Sequence, residues 1–560
     1  MNNLRFSPSS ILAAAVLGLG LFWFAGCESI SEQDSFYEFT PPKEKLQQIQ
    51  PMNLKEFKSE PATPGEPVTL PPAEEAAKEM TISLEQARSM AVENNLDLQT
   101  QLIAPGISEA ALRAEQAKFE AAFFTNVNYN KVDRPIPTYL STGGATNTTI
   151  AGSQYDDGYV DLGVQMPLQT GGTITLDFAD DRSKTNSGGA FNPLYTENAT
   201  FSISQPLLKG AGTRVNNHSI RIAQYNKAIT DNLTKLEVIR VIAAADRAYW
   251  RLYAARRELQ VRQQQHDLAL KQLERAKRMV NAGQTAQVEI VRAEAGVARQ
   301  LAAIITAENA LRDRQREFKR LLNKPGLPID STTIPIPSNE PDPVHYTLEA
   351  QPMIARAMEN RWEMLDLELK LAQDASTIDA AKNQTLPLVT VSYSYNINGV
   401  GATRSDSLDM LNDKNFETHA VGARLFVPLG NEAAKNNLRQ SILVRRQRLV
   451  GRESRKQLIQ QEVLNTLDQL EANWQQILAA RQSSILEGRL YEAEIRQFEQ
   501  GLRTSTDVLL AQTTFADAQS AEITALVAYE ISLVDIAYAT GTLLGAAKVE
   551  WQPVTPDLTQ

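Results

Sequence analysis

The chain has 560 residues, is 42% hydrophobic and 22% charged, and carries a formal net charge of −10. That balance allows packed structure but excludes the broad basic surface of a nucleic-acid binder. A single cysteine, Cys27, excludes disulfides and thiolate metal centres, and an aromatic content of only 7% suits long helices better than a compact catalytic core.

Residues 1–26 read as an export signal, with Arg5, then the apolar run Ile11–Ala25, then small residues. The segment ends Phe24-Ala25-Gly26-Cys27, which resembles a bacterial lipobox and makes Cys27 the expected lipidation site. A plain secretory signal with an incidental cysteine is the alternative. Residues 27–80 are rich in proline, from Pro41 and Pro42 to Pro71 and Pro72, and read as an extended tether. No later stretch offers the roughly 18 apolar residues of a spanning helix. The best candidate, Ala521–Leu544, contains Glu522, Glu530 and Asp535. Any membrane span must therefore be built from strands.

From Thr81 the pattern is helical to about Leu102; Pro105-Gly106 interrupts it, and a second helix runs to about Ala122. The period then changes to two. Val127 and Tyr129 alternate with asparagines, Val160 to Met166 with Asp161, Gly163 and Gln165, and Ile174 to Phe178 with Thr173, Thr175 and Asp177. Phe201 and Ile203 continue the series, and Gly171-Gly172 marks a hairpin. Residues 157–179 form an extra hairpin relative to the second half. The stretches 135–156 and 180–198, rich in Gly, Ser, Thr and Asn, read as loops.

A helix of about 100 Å is predicted from Asn217 to Ala282, at about 1.5 Å per residue. Gly283 breaks it, a second long helix reaches Leu322, and Lys324-Pro325-Gly326 opens a linker over 324–345. The order then recurs: helix over Leu348–Asp379, strands around Val389–Ile397 and Val421–Val427, and long helices over 432–499 and 507–544. Gly283 stands six residues before Glu289, and Gly501 six before Asp507. The first repeat is thus placed at 81–323, the second at 346–545 and a C-terminal tail at 546–560. The predicted fold is an internally duplicated α+β membrane protein. One chain offers about six amphipathic strands, too few for a wide pore. A transmembrane β-barrel shared between copies, continued by a coiled-coil helical barrel, leaves no free edge in the bilayer.

The segment Phe498-Glu499-Gln500-Gly501-Leu502-Arg503-Thr504-Ser505-Thr506-Asp507-Val508-Leu509-Leu510-Ala511-Gln512 resembles the TolC family of outer-membrane efflux proteins. Gln205-Pro206-Leu207-Leu208-Lys209-Gly210 and the duplication support the resemblance, which covers about 81–545. It implies a homotrimeric channel in the bacterial outer membrane with a periplasmic helical tunnel. Its partners would be a periplasmic adaptor and an inner-membrane pump. Many members are lipoproteins, which agrees with Cys27; beyond that covalent lipid no cofactor is implied. The tip turns at Gly283, Gly501 and Leu502 would meet the adaptor. Glu289, Arg503 and Asp507 would form a periplasmic gate, with Arg503 tying helices together in the closed state. Arg503 lies one turn before Asp507 if the helix already runs there. Two departures stand out: Phe498 replaces a gate tyrosine and Leu510 a second acidic residue.

Other classes fit less of the chain. A non-conducting coiled-coil lipoprotein accounts for the helices but not the strands, and a periplasmic adaptor carries one helical hairpin where this chain carries two. An enzyme is disfavoured: His218, His266, His345 and His419 are dispersed, and no P-loop, GxSxG or GxGxxG stands in a strand-to-helix setting.

Overall fold

The computed structural model describes residues 78–142, 145–186 and 190–548. The expected signal peptide, Cys27, the tether up to residue 77 and residues 549–560 of the tail lie outside the described residues. The described chain opens with β1 (Glu79–Ile82), which pairs in parallel with β6 (Ile334–Pro337). The end of the expected tether and the middle of the expected linker are therefore strand. Two main-chain bonds bracket the pair, Ile334 N to Lys78 O and Ser338 N to Ile82 O.

Helix α1 (Leu84–Asn94) starts on a capping box in which Ser83 and Gln86 satisfy each other's backbone N–H. It gives way to α2 (Leu96–Gln116) at Asn95, whose side chain accepts from Leu98 N. The expected break at Pro105-Gly106 does not occur. Proline removes the N–H that would reach the Gln101 carbonyl, but Thr234 Oγ1 of the neighbouring helix stands 3.4 Å from that oxygen. That hydroxyl also stands 3.0 Å from Thr230 O, so it is a shared, weak partner for the freed acceptor, and one that local sequence does not reveal.

Six strands form one antiparallel sheet: β2 (Ala122–Thr142), β3 (Ala145–Pro167), β4 (Thr173–Thr185), β5 (Leu194–Pro206), β7 (Leu388–Gly401) and β8 (Glu417–Phe426). They lie in the order β2-β3-β4-β5-β7-β8, so the extra hairpin is continuous with the rest. Residues 135–142 and 145–156 are not loop but the upper part of the β2–β3 ribbon, and most of the described residues of 180–198 are likewise strand. Ladder bonds form regardless of side-chain polarity, so strands can persist where the sequence loses its apolar alternation.

The helices are α3 (Thr213–Asn216), α4 (His218–Asn281), α5 (Val288–Leu322), α6 (Ala350–Asn360), α7 (Trp362–Gln384), α8 (Arg404–Asn412), α9 (Glu432–Glu499), α10 (Ser505–Ala539) and α11 (Leu543–Ala546). The helix expected over 348–379 is two, bent at Arg361. Among the described residues no helix is long and apolar enough to cross a membrane. The main core gathers around the middle of α4: Ile242, Tyr249 and Leu252 pack with Phe318 and Leu322 of α5, Ala87 and Ala91 of α1, and Val527 and Val534 of α10. Ala243 and Ala245 are fully buried there, which lets helices approach closely. The linker strand and the residues just after it are pinned to this body. Asn339 N donates to Tyr249 Oη, and Tyr529 Oη donates to the Val344 carbonyl.

Candidate functional site

Two surfaces carry the chemistry: the sheet and the far ends of the long helices. Side chains alternate across a strand, and the register sorts them cleanly. One row runs Phe123, Val164, Leu176, Phe201, Tyr395 and His419 across all six strands. The adjacent row, on the opposite face, runs Phe124, Gly163, Asp177, Thr200, Asn396 and Thr418. The first face is apolar yet open to the surroundings: Phe123, Val127, Leu176, Val421 and Leu425 are all more than half exposed. An apolar face of this size left uncovered marks an interface with lipid or protein. β4, β5, β7 and β8 have 13, 13, 14 and 10 residues, enough for a tilted strand to cross a bilayer core, which takes about 9–11. β2 and β8 are the two edges of the sheet, and among the described residues each lacks a partner on one side.

At the other end, α4 turns into α5 and α9 into α10 by the same motif. Gly283 N donates to Val280 O and Gln284 N to Met279 O; Gly501 N donates to Phe498 O and Leu502 N to Gln497 O. Both glycines have positive φ, +71° and +73°. This is the Schellman arrangement, in which a left-handed residue lets two terminal carbonyls be satisfied. Leu502, at the second tip, is 71% exposed.

The expected gate residues come together here, though not as the spacing suggested. Helix α10 begins only at Ser505, so Arg503 precedes it and is not stacked one turn from Asp507. Arg503 Nε instead donates to Gln497 Oε1 at 3.0 Å and lies 3.3 Å from Glu494 Oε2, tying the turn back to α9. Asp507 completes a capping box: its Oδ2 accepts from Thr504 N and Thr504 Oγ1, both at 2.9 Å. The Thr504 backbone and hydroxyl, with smaller help from Arg503 and Arg292, hold Asp507 below the usual carboxylate range. Glu289 is buried; it accepts from Ser505 N at 2.9 Å and from Arg292 Nη1 at 2.6 Å. Both acids therefore sit at the positive N-terminus of α10, and Glu289 joins the tip of the first repeat to that of the second. Phe498 is buried among Met279, Tyr491, Val508 and Ala511, whereas Leu510 is exposed.

Glu494, Gln497, Arg292 and Ser505 were not singled out from the sequence. Arg292 had a signal, standing one turn after Glu289; a pairing across the tip turn leaves none. Among the described residues, no group of three or more His, Cys, Asp and Glu side chains converges as a metal site.

Comparison with known proteins bears on both surfaces. The pattern that defines the family described as "Outer membrane efflux protein" matches twice, over residues 173–324 and 353–542. The chain is similar to outer membrane protein TolC of Salmonella enteritidis, 25% identical over 304 residues, which is 53% of this chain and 60% of that protein. The match thus spans less than two thirds of that relative. Among solved structures, CusC superposes with a TM-score of 0.60 at 13% identity, covering 82% of this chain and 92% of CusC. The CmeC outer membrane channel of Campylobacter jejuni gives 0.58 at 14% identity, covering 82% and 86%. These likenesses establish the mixed fold of long helices and antiparallel strands.

Proposed function

The chain belongs to the outer membrane efflux protein family, a family of transport proteins rather than enzymes, and from that premise we propose that three copies form an efflux or secretion channel. The observation that carries this reading is a sheet with one exposed apolar face and one polar face, joined to helical hairpins far longer than a globular domain needs. Edges β2 and β8 run in opposite directions, so β8 of one copy can pair with β2 of the next. Three sets of six strands would close an all-antiparallel barrel of eighteen, which removes every open edge from the bilayer. The apolar rows then face lipid and the polar rows the lumen, while α4, α5, α9 and α10 extend the conduit into the periplasm. A lipid on Cys27 anchors the N-terminus in the outer membrane. A periplasmic adaptor, itself bound to an inner-membrane pump, meets the tips at Gly283, Gly501 and Leu502.

The gate lies just inside those tips. Three Asp507 carboxylates around one axis would favour cations. Arg503 holds the turn on α9, and its release frees α10 to move. The experiment is conductance of the purified full-length protein in planar bilayers. Discrete cation-preferring channels are expected, with higher conductance in Arg503→Ala and weaker cation preference in Asp507→Asn. A wild-type protein that never conducts would sink the channel; wild-type behaviour in both variants would remove the gate and leave the channel standing.

A further inference from the structure

The segment joining β7 to β8 carries α8, and α8 does not project freely. It lies flat against the apolar face of the sheet, on the row beyond the lipid-type side chains. There, Asp180, Glu197 and Gly399 are consecutive partners across β4, β5 and β7. Two glycines make the seat: a Cβ on Gly399 would stand 2.1 Å from the Ser407 carbonyl, and one on Gly401 2.7 Å from Ser407 N. Arg404 Nη2 pairs with Asp180 Oδ2 at 2.7 Å, and its guanidinium stands over the Tyr195 ring. Glu197 N donates to Ser407 Oγ at 3.3 Å.

The charges under α8 do not balance. Glu197 is fully buried, and neither of its carboxylate oxygens has a hydrogen-bond partner. Asp180 Oδ1 is likewise buried and unpartnered. Cross-strand neighbours have Cβ atoms about 5 Å apart, so two carboxylates share one guanidinium, which already serves the far oxygen of Asp180. Burying a carboxylate without a partner is strongly unfavourable, yet here the fold closes a helix over it. Three carboxylate oxygens on directly paired residues are thus buried without a donor, and the Ser407 hydroxyl lies against the Glu197 backbone. That donor set is oxygen-only, as hard cations require.

We propose that Glu197 and Asp180 hold a hard divalent cation of the calcium class beneath α8, and that the ion clamps this segment to the outer wall of the sheet. Water and the Ser407 hydroxyl complete the coordination. With two carboxylates the site is weak, in the range of about 10⁻⁴–10⁻³ M known for extracellular modules. Its place at the outer end of the strands rests on the channel reading; the ion site itself does not, and it is tested without transport. Clamped, residues 402–416 stay off the mouth of the barrel.

The test uses the full-length protein in detergent and Lys414, the lysine just after α8, as a cleavage site for endoproteinase Lys-C. Linkage predicts that about 10 mM calcium slows cleavage there by about tenfold to a hundredfold relative to EDTA. Glu197→Gln and Asp180→Asn should lose this protection, while Asp177→Asn, on the other face, keeps it. Terbium supplies a second readout, because Tyr195 lies close enough to sensitise its emission; calcium should quench that emission by displacement. Absence of a calcium effect in the wild type, equal protection in Glu197→Gln, or protection that follows low pH without regard to calcium would each overturn the proposal. The last result would mean that a proton neutralises Glu197.

Discussion

The two repeats bend the chain at the same place with different chemistry. In the first, α1 passes to α2 through Asn95, with φ −65° and ψ 123°; in the second, α6 passes to α7 through Arg361, with φ −72° and ψ 127°. Asn95 N donates to Ala91 O and Arg361 N to Ala357 O. The side chains then reach equivalent targets. Asn95 Nδ2 donates to Leu321 O at the end of α5, and Arg361 Nη1 lies 3.5 Å from Ala539 O at the end of α10. Each carbonyl stands the same distance in sequence after its tip glycine. Backbone geometry has outlasted the chemistry that supports it. An amide does alone in one repeat what a guanidinium does in the other only within a network, with Glu363, Glu462 and Arg455.

That difference extends to the buried acids. Asp246 in the first repeat is fully buried and held by one bidentate partner, Arg88, at 2.8 and 2.9 Å. Burial outweighs Arg88, so Asp246 titrates above its ordinary value of 3.8. Burial also pushes Glu363 upward, but hydrogen bonds from Arg361 and its own main chain, with the charge of Arg455, win and hold it below 4.5. Replacing Arg88 with Ala should have the largest effect, about 3–5 kcal/mol, because it strands a buried carboxylate. Arg361→Ala should cost less, about 2 kcal/mol, since Arg455 Nη2 remains 3.1 Å from Glu363. Urea melts in detergent rank the two; equal losses would erase the contrast between repeats.

The acid limbs sharpen it further. A lowered carboxylate stabilises the fold above its unfolded value, and that stability disappears as pH falls through the folded value. Glu363→Gln should therefore flatten the loss of stability below about pH 4.5. Asp246 has the opposite sign: its contribution is fully present below 3.8 and is lost as pH rises through its raised folded value. Asp246→Asn should flatten that second limb. Melts from pH 3 to 7 that show the same slope change in both variants would refute the assignment.

The tips set a case where the repeats should agree. No atom lies within 4 Å of a Cβ built on Gly283 or Gly501, so alanine meets only the left-handed penalty, about 1–2 kcal/mol at either site. Unequal losses would mean that one turn is strained in another way. Smallest of all, Thr234→Val should cost up to about 1 kcal/mol and loosen α2 around Pro105, seen as faster amide exchange over 101–109.

Helix placement was largely legible in the sequence, because a 64-residue and a 68-residue helix repeat their pattern many times. The six strands were legible wherever one face was apolar. The upper β2–β3 ribbon was not, since its sequence shows no sustained apolar alternation and only pairing defines it. Pro105 misled for a related reason: the Gln101 oxygen it frees is approached by Thr234, 133 residues away. At the tip, the equal spacing from the glycines hides a difference: Asp507 closes the capping box of its own helix, whereas Glu289 accepts from Ser505 N of the other repeat. With Thr504 as the N-cap and α10 starting at Ser505, Arg503 lies outside the helix and turns toward Glu494.

The unpaired edges of β2 and β8 have a consequence for biogenesis. A lone subunit entering a bilayer would carry two rows of unsatisfied N–H and C=O groups into hydrocarbon, at a cost of several kcal/mol per group. In the shared barrel proposed above, insertion and oligomerisation would be a single event, with a rate that rises steeply with the concentration of waiting subunits. A subunit with one blocked edge would be worse than none, because it ends every ring it joins. Co-expressing a chain with proline placed along β8 should thus poison assembly of the wild type well beyond its share of the pool.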